Sequence, residues 1–223
     1  MALEEDLSAA HKQTRLRWCR EHRATDFNEW RFSDESAFEL ANLSIPRRQF
    51  VHRKASERHA ACCIQAGGVR NRQKLMVWGC ISSTGSACFE ILQGNINAHR
   101  YIDMLSNVLL PYLDSLPLAT LQNVRFQQDN APPHRAHITS QFLQDQAIIA
   151  PQWPPLSPDL NLIEQVWALM KKDVRRSKPR SLHDLKAAIR ASWTRVVTPA
   201  LCTRLYSSMR ARIEQVIAQK DSR

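Results

Sequence analysis

The hydrophobic positions along this chain change period several times, and each change marks an element. Residues 5–24 are polar, with apolar positions only at Leu7, Leu16 and Trp18 among their larger side chains, which predicts a helix lying on another body. From Glu29 the pattern shortens. EWRFSDESAFEL alternates and is rich in aromatic residues, predicting two short strands with a turn near Ser33–Ser36. KLMVWGCIS (74–82) and ACFEILQG (87–94) flank Ser-Thr-Gly-Ser and predict a hairpin, in which strand alternation sets Trp78 and Cys80 on the face opposite Val77 and Gly79. Over 98–114 the apolar residues fall at Tyr101, Ile102, Leu105, Val108, Leu109 and Leu113, which is helical spacing, with Pro117 beyond the stop.

NVRFQQDN (123–130) then reads as a strand ending in a polar turn, and Pro132 and Pro133 fit the opening of a helix through HRAHITSQFLQDQ. AIIAPQW predicts a further strand, PPLSPD a rigid connector, and LNLIEQVWALMKKDVRR an amphipathic helix, followed by helical stretches at 181–196 and 199–219. Strands, helix, strand, helix, strand, then helices describe an α/β layer fold: a mixed sheet flanked by helices, with a C-terminal helical extension. The expected division is an N-terminal helical linker at 1–27, a catalytic domain at 28–196 and a C-terminal helix at 197–223. No internal repeat or low-complexity segment interrupts it.

Composition narrows the class. With 223 residues, 43% of them hydrophobic, the chain suffices for one substantial core. The net charge of +10 favours a polyanionic partner, because lysine and arginine gain affinity by neutralising phosphates and releasing their counterions. Nucleic acid is expected rather than membrane: no apolar run approaches the roughly 18 residues of a spanning helix, and MALEEDLSAAHK has no basic start or apolar core. The six cysteines (Cys19, Cys62, Cys63, Cys80, Cys88, Cys202) form no CxxC pair, so reduced core thiols in an intracellular compartment are expected rather than a disulfide frame or a zinc site.

Three acidic residues occupy places where a sheet presents groups to solvent: Asp34 at the end of the first strand, Asp129 at the end of a later one, and Glu164 in the first turn of a helix. Such a set suits hard divalent cations, which take oxygen ligands and serve phosphoryl transfer in pairs. Each residue also has a plainer reading. Asp34 and Asp129 could be turn formers, and Asn161-Leu-Ile-Glu164 matches a helix N-cap with its capping-box glutamate.

The three blocks together, FSDES, FQQDNAPPHRA and WPPLSPDLNLIEQVW, resemble in order and spacing the catalytic blocks of Tc-one/mariner superfamily transposases. The 34 residues between Asp129 and Glu164 (130–163), and Glu rather than Asp in third place, resemble the Tc-one branch. VWGCISSTG (77–85) is similar to a family strand and turn, and the likeness runs over about residues 12–215. The resemblance implies a ribonuclease H-like, integrase-like fold in which Asp34, Asp129 and Glu164 form a DDE triad holding magnesium or manganese, two ions in all. It implies cleavage of one DNA strand at an element end, then attack of the 3′ hydroxyl on target DNA at a TA dinucleotide, with double-stranded DNA as partner and two copies able to pair. Asn130 and His134 hold family-typical positions, either orienting Asp129, touching phosphate or capping a helix.

Two departures stand out. Leu162 replaces the proline of the family's DLNPIE, and the glycine-rich segment before VWGC, a place for a clamp or dimer contact, is shortened to GGVRNRQK (67–74). Family members also carry a paired-type helix-turn-helix domain ahead of the catalytic domain, and that end-recognition domain is expected to be absent from this chain. A second reading, a non-catalytic DNA-binding or interaction module, follows from that, and a third is a structure-selective nuclease of similar fold.

KKDVRRSKPR (171–180) carries Lys171, Lys172, Arg175, Arg176, Lys178 and Arg180, readable as a phosphate track, as a helix end favoured by the macrodipole, or as a nuclear localisation patch. RRQFVHRK (47–54) is a second basic run. Trp153 and Trp167 are expected in the core rather than as stacking platforms, and His134 and His137 on a helix surface.

Overall fold

The computed structural model describes residues 7–40, 73–92 and 94–221, so RRQFVHRK, residues 67–72 of the shortened segment, Cys62 and Cys63 lie outside the described residues. Strand β1 (Trp30–Glu39) is the trunk of a four-stranded sheet. Antiparallel to it run β2 (Lys74–Ser82) and, beyond, β3 (Gly85–Leu92), while β4 (Arg125–Gln127) pairs parallel on its other side, giving the order β3-β2-β1-β4.

The turn expected near Ser33–Ser36 does not form. All four residues stay in register with β2, from Ser33 opposite Cys80 to Ser36 opposite Val77, so EWRFSDESAFEL makes one strand with Asp34 at its middle. Polar side chains that resemble a turn in sequence find partners or solvent here, and the ladder to an apolar strand keeps the backbone extended. The 74–92 hairpin forms as expected, its two strands reversing at Ser83 and Thr84.

Alternation along the strands divides the core into two layers. Trp30, Phe32, Phe38, Val77, Ile81 and Ile91 pack toward α1 (Ala9–Glu21), α7 (Ile163–Ser177), α8 (Leu182–Val196), α9 (Pro199–Ser207) and α10 (Met209–Asp221). Trp78, Cys80 and Phe126 pack on the other face, toward α2 (Ala98–Met104), a π-helical turn (Leu105–Leu109), α3 (Leu110–Asp114), the short α4 (Leu118–Leu121) and α6 (His137–Asp145). Trp78 and Cys80 do lie opposite Val77 and Gly79, as the alternation predicts. The single helix expected over 98–114 carries the π turn because Pro111 has no N–H and its ring crowds the carbonyl four residues back; Leu110 N–H reaches the Leu105 carbonyl instead.

Two further expectations are corrected. AIIAPQW forms no strand. Phe126 N–H donates to the Ile149 carbonyl at 2.8 Å, but a parallel ladder would next need the N–H of residue 151, which is proline. The helix from Pro132 is two short ones, α5 (Pro132–Arg135) and α6, parted by Ala136 in an extended conformation.

The connector 154–159 is held from the N-terminal helix. Arg15 on α1, buried, donates to both Asp159 carboxylate oxygens (2.9 and 2.7 Å), to Ser157 Oγ (2.6 Å) and to the Leu156 carbonyl (3.1 Å). Trp18 Nε1 donates to the Gln152 carbonyl at 2.9 Å, which fixes the start of the same passage. Both expected core tryptophans are buried, Trp153 against Trp18 and Phe32, Trp167 against Phe38 and Trp193.

Helix α7 approaches the sheet closely at one point. A Cβ on Gly79 would stand 2.7 Å from Trp167 Cη2 and 3.0 Å from Trp193 Cη2, inside contact distance of two large, packed rings. Gly79→Ala is therefore expected to destabilise the fold by about 1–3 kcal/mol, the usual cost of overpacking, and Gly79→Val by more, as read from urea unfolding midpoints.

Candidate active site

The alternation that packs Phe32 and Phe38 toward α7 also turns Asp34 toward that helix, halfway along β1. Glu164 lies in the first turn of α7, whose apolar side (Ile163, Val166, Trp167, Met170, Val174) docks it on the sheet. Asp129 follows two residues after β4 ends, in the turn leading to α5. All three sequence-predicted carboxylates thus meet at one region of the sheet, and their electrostatics record it. Burial pushes the Asp34 carboxyl up to about 8, with the charges of Glu164, Glu35 and Asp129 adding to the rise and the Glu35 backbone N–H opposing it. Asp34 therefore sits mid-strand, not at a strand end as its sequence context implies.

Asp129 is held differently. Its Oδ1 accepts from the Ala131 N–H at 2.9 Å and faces His134 Nδ1 at 2.6 Å, and although burial works against it, these partners hold the carboxyl below its ordinary value. Both contacts use one oxygen and leave Oδ2 to other partners. Among the described residues, no three His, Cys, Asp or Glu side chains yet stand close enough to close on one ion. In kind, the donor set fits a hard divalent cation, being all carboxylate oxygen.

His134 is not on the helix surface, as expected, but only 5% exposed. Its Nε2 stands 3.4 Å from Glu35 Oε1, and its ring lies on Tyr101 with centroids 4.1 Å apart; Tyr101 in turn donates to Gln128 Oε1 at 2.8 Å. Burial disfavours the imidazolium, yet the two carboxylates outweigh it and raise His134 to about 9. His134 is thus a cation between Glu35 and Asp129 that joins β1 to the Asp129 turn. The Asn130 Nδ2 donates to the Trp153 carbonyl at 2.8 Å, just ahead of the connector. His137 is exposed, as expected.

Glu164 is also freed from the capping role its spacing allowed. The Asn161 N–H, which a capping-box glutamate would receive, already donates to the Pro158 carbonyl at 3.1 Å. Glu35, Tyr101, Gln128 and Arg15 went unmarked in the sequence reading. Period 2 alone could have placed Glu35 back to back with Asp34, but nothing local pairs it with a residue near position 134.

In the basic run, Lys172, Arg175, Arg176, Lys178 and Arg180 are exposed, and Lys171 Nζ lies 5.9 Å above the Phe38 ring. Seven and eleven residues beyond Glu164, Lys171 and Arg175 share its face of α7, at axial rises of about 10 and 16 Å. Arg176 turns aside, where Asp173 pairs with Arg195 at 2.7 Å.

A family model described as DDE superfamily endonuclease matches residues 29–186, which takes in all three carboxylates. The chain belongs to that family. The DDE endonuclease chain is 27% identical over 221 residues to the transposable element Tcb1 transposase of Caenorhabditis briggsae, covering 96% of this chain and 77% of the relative. It is 28% identical over 214 residues to the Tc3 transposase of Caenorhabditis elegans, covering 95% and 62%. Among solved structures, the catalytic domain of Mos1 mariner transposase superposes with a TM-score of 0.72 at 18% identity, covering 98% of this chain and 96% of that one. The Mos1 paired-end complex with left transposon end gives 0.75 at 20% identity, and this chain spans 97% of itself but 64% of that fuller protein. The fold is thus that of the Mos1 catalytic domain, ribonuclease H-like, as expected.

Two outcomes follow from the charges. In the metal-free chain the Asp34 carboxyl should titrate near pH 8 by carbon-detected NMR, and Glu164→Gln should lower that midpoint by removing the neighbouring like charge; an unmoved midpoint would mean that the two do not meet. Stability should fall as pH rises. Asp34 holds a proton up to about 8 that the unfolded chain loses near 3.8, and His134 keeps its charge up to about 9 against 6.5 unfolded, so its contribution is full below 6.5 and lost through 9. The thermal midpoint without metal should decline from about pH 4 to about 9, most steeply above 6.5 where both groups act, and less steeply there for His134→Gln.

Proposed function

We propose that this DDE endonuclease chain is the catalytic part of a DNA transposase acting in the nucleus, with Asp34, Asp129 and Glu164 holding two magnesium or manganese ions. It cuts one DNA strand at an element end and joins the freed 3′ hydroxyl to target DNA. The observation that carries this reading is Asp34, half-buried at mid-strand beside the charges of Glu164, Glu35 and Asp129. A fold would be expected to avoid such an arrangement unless a cation relieves it. The Mos1 catalytic domain has been solved with Mg and with Mn, and Mos1 itself in a strand transfer complex, which supports carrying these ions and this step to the present chain.

When bound, two divalent ions supply charge that activates an attacking oxygen and steadies a leaving one. The residues do the rest. Asp129, tethered through Oδ1, would present Oδ2; Asp34 would release its proton to solvent and offer a carboxylate oxygen; Glu164 would complete the set from the first turn of α7. Cleavage and joining are both in-line displacements at phosphorus, so one site serves both with no covalent enzyme intermediate. Lys171 and Arg175, in line with Glu164, guide the phosphate backbone to it, a contact that weakens with salt. Pairing of two copies on two element ends fits the paired-end complexes of Mos1.

The test is calorimetric titration with magnesium and manganese alongside nicking of supercoiled DNA, for the parent, Asp129→Asn and Glu164→Gln. Both variants should lose metal affinity and nick at least about a hundredfold more slowly, the scale of removing one preorganised charged group. A parent that neither binds metal nor nicks would instead favour a non-catalytic DNA-binding module.

A further inference from the structure

The three acidic segments meet not only at their carboxylates but at one residue, Ser33. Its N–H donates to Gln127 Oε1 at 3.1 Å, its carbonyl accepts from Asn161 Nδ2 at 3.1 Å, and its Oγ donates to the Gln127 carbonyl at 2.7 Å. All three residues are buried, Ser33 at 2%, Gln127 at 0% and Asn161 at 4% exposure. Ser33 immediately precedes Asp34, Gln127 lies two residues before Asp129, and Asn161 three before Glu164.

The strand pairing explains why side chains are used. The parallel register of β1 with β4 ends at Phe32 opposite Gln127, so the next backbone groups of β1 on that side have no strand to meet. Two amide side chains stand in for the missing strand. Asn161 has a second hold, because its Oδ1 accepts from the Ile163 N–H at 3.3 Å; one planar amide therefore ties the first turn of α7 to the β1 backbone. On the other side, Gln127 Nε2 has no hydrogen-bond partner among the described residues. Burying an unpaired amide donor is unfavourable, and an apolar side chain would fill the space without that cost. What the glutamine adds is its acceptor contact with Ser33.

We propose that Gln127 and Asn161 are positioning residues that fix Asp129 and Glu164 to the backbone of Ser33, the residue preceding Asp34, and so set the spacing of the three carboxylates for a pair of divalent ions. This rests on the transposase reading above. The two amides touch neither ion nor DNA; they act through the backbone they hold. Magnesium demands near-ideal octahedral geometry at about 2.0–2.1 Å. Manganese, larger and without a directional ligand preference, tolerates displaced oxygens better.

The discriminating experiment compares the parent with Gln127→Met and Asn161→Leu, each near the original in volume. Mn2+ affinity is read by calorimetry, nicking of supercoiled DNA in Mg2+ and separately in Mn2+, and the thermal midpoint in parallel. Nicking in Mg2+ should fall by a hundredfold or more and in Mn2+ by about tenfold or less, so the ratio of Mn2+ to Mg2+ activity rises in both variants. Equal losses in the two metals, tracking the thermal midpoint, would reduce the amides to ordinary structural residues and overturn the proposal. Hydrogen exchange at the Ser33 amide separates this inference from the reading beneath it. A parent that binds no Mn2+ and nicks nothing defeats the transposase reading and, with it, any role for the amides in placing ions. A Ser33 amide that exchanges as slowly in Gln127→Met as in the parent defeats the proposed hold whatever the parent's activity.

Discussion

Like charges drawn from distant parts of one chain must be held near one another while the middle one, Asp34, is largely shielded from water. Burial and the charges of Glu164, Glu35 and Asp129 all raise the free energy of an ionised Asp34. An arrangement of this kind does not arise from local preference, and it persists only where the surrounding structure determines it from several sides. Most of the architecture can be traced to that demand. The long strand β1 provides a rigid bed, β4 brings Asp129 alongside by parallel pairing, and α7 lies with its apolar side on the sheet so that its first turn ends beside Asp34.

Two kinds of contact fix α7. Along its apolar side it is a matter of shape: Gly79 leaves room for Trp167, with Trp193 of α8 beside it, to approach the backbone of β2 more closely than a side chain there would allow. Ahead of its first turn it is a matter of polar bonds. Arg15 gathers Leu156, Ser157 and Asp159, and Arg212 donates to the Asp159 carbonyl at 2.6 Å, so helices from both ends of the chain hold the connector that delivers Glu164. A buried arginine with its donors satisfied by a bidentate carboxylate and further oxygens is a directional fastening, which apolar packing alone does not supply.

What the sequence made legible was whatever depended on period and order. The hairpin, the two faces of β2, the amphipathic α7 and the core placement of Trp153 and Trp167 followed from spacing alone. What it hid depended on partners far away in the chain. Ser33–Ser36 resembles a turn until β2 lies opposite it, and 147–153 resembles a strand until Pro151 meets a ladder that needs its missing N–H. His134 resembles a surface residue because its neighbours in sequence are polar, whereas its partners are Glu35, across the sheet, and Asp129. The candidate triad could be named from motif resemblance. Among its supports, Arg15 and Tyr101 lie outside the motif blocks and Glu35, Gln127 and Asn161 inside them, but what each one holds is visible only in three dimensions.

The contrast between Asp34 and Asp129 shows how a metal-free chain lives with such a site. Near neutral pH, Asp34 holds a proton because burial and its neighbours forbid the charge, while Asp129, half exposed and bonded to His134 and to a backbone N–H, stays ionised. His134 in turn is kept cationic by Asp129 and Glu35. Proton and imidazolium together cancel much of the negative charge that would otherwise force the segments apart, and they do so on different sides of β1. The imidazolium faces Glu35 and steadies the Asp129 turn, while the proton on Asp34 occupies the side toward Glu164, where the proposed ions would enter. A cation arriving there would displace a proton from Asp34 rather than a structural bond.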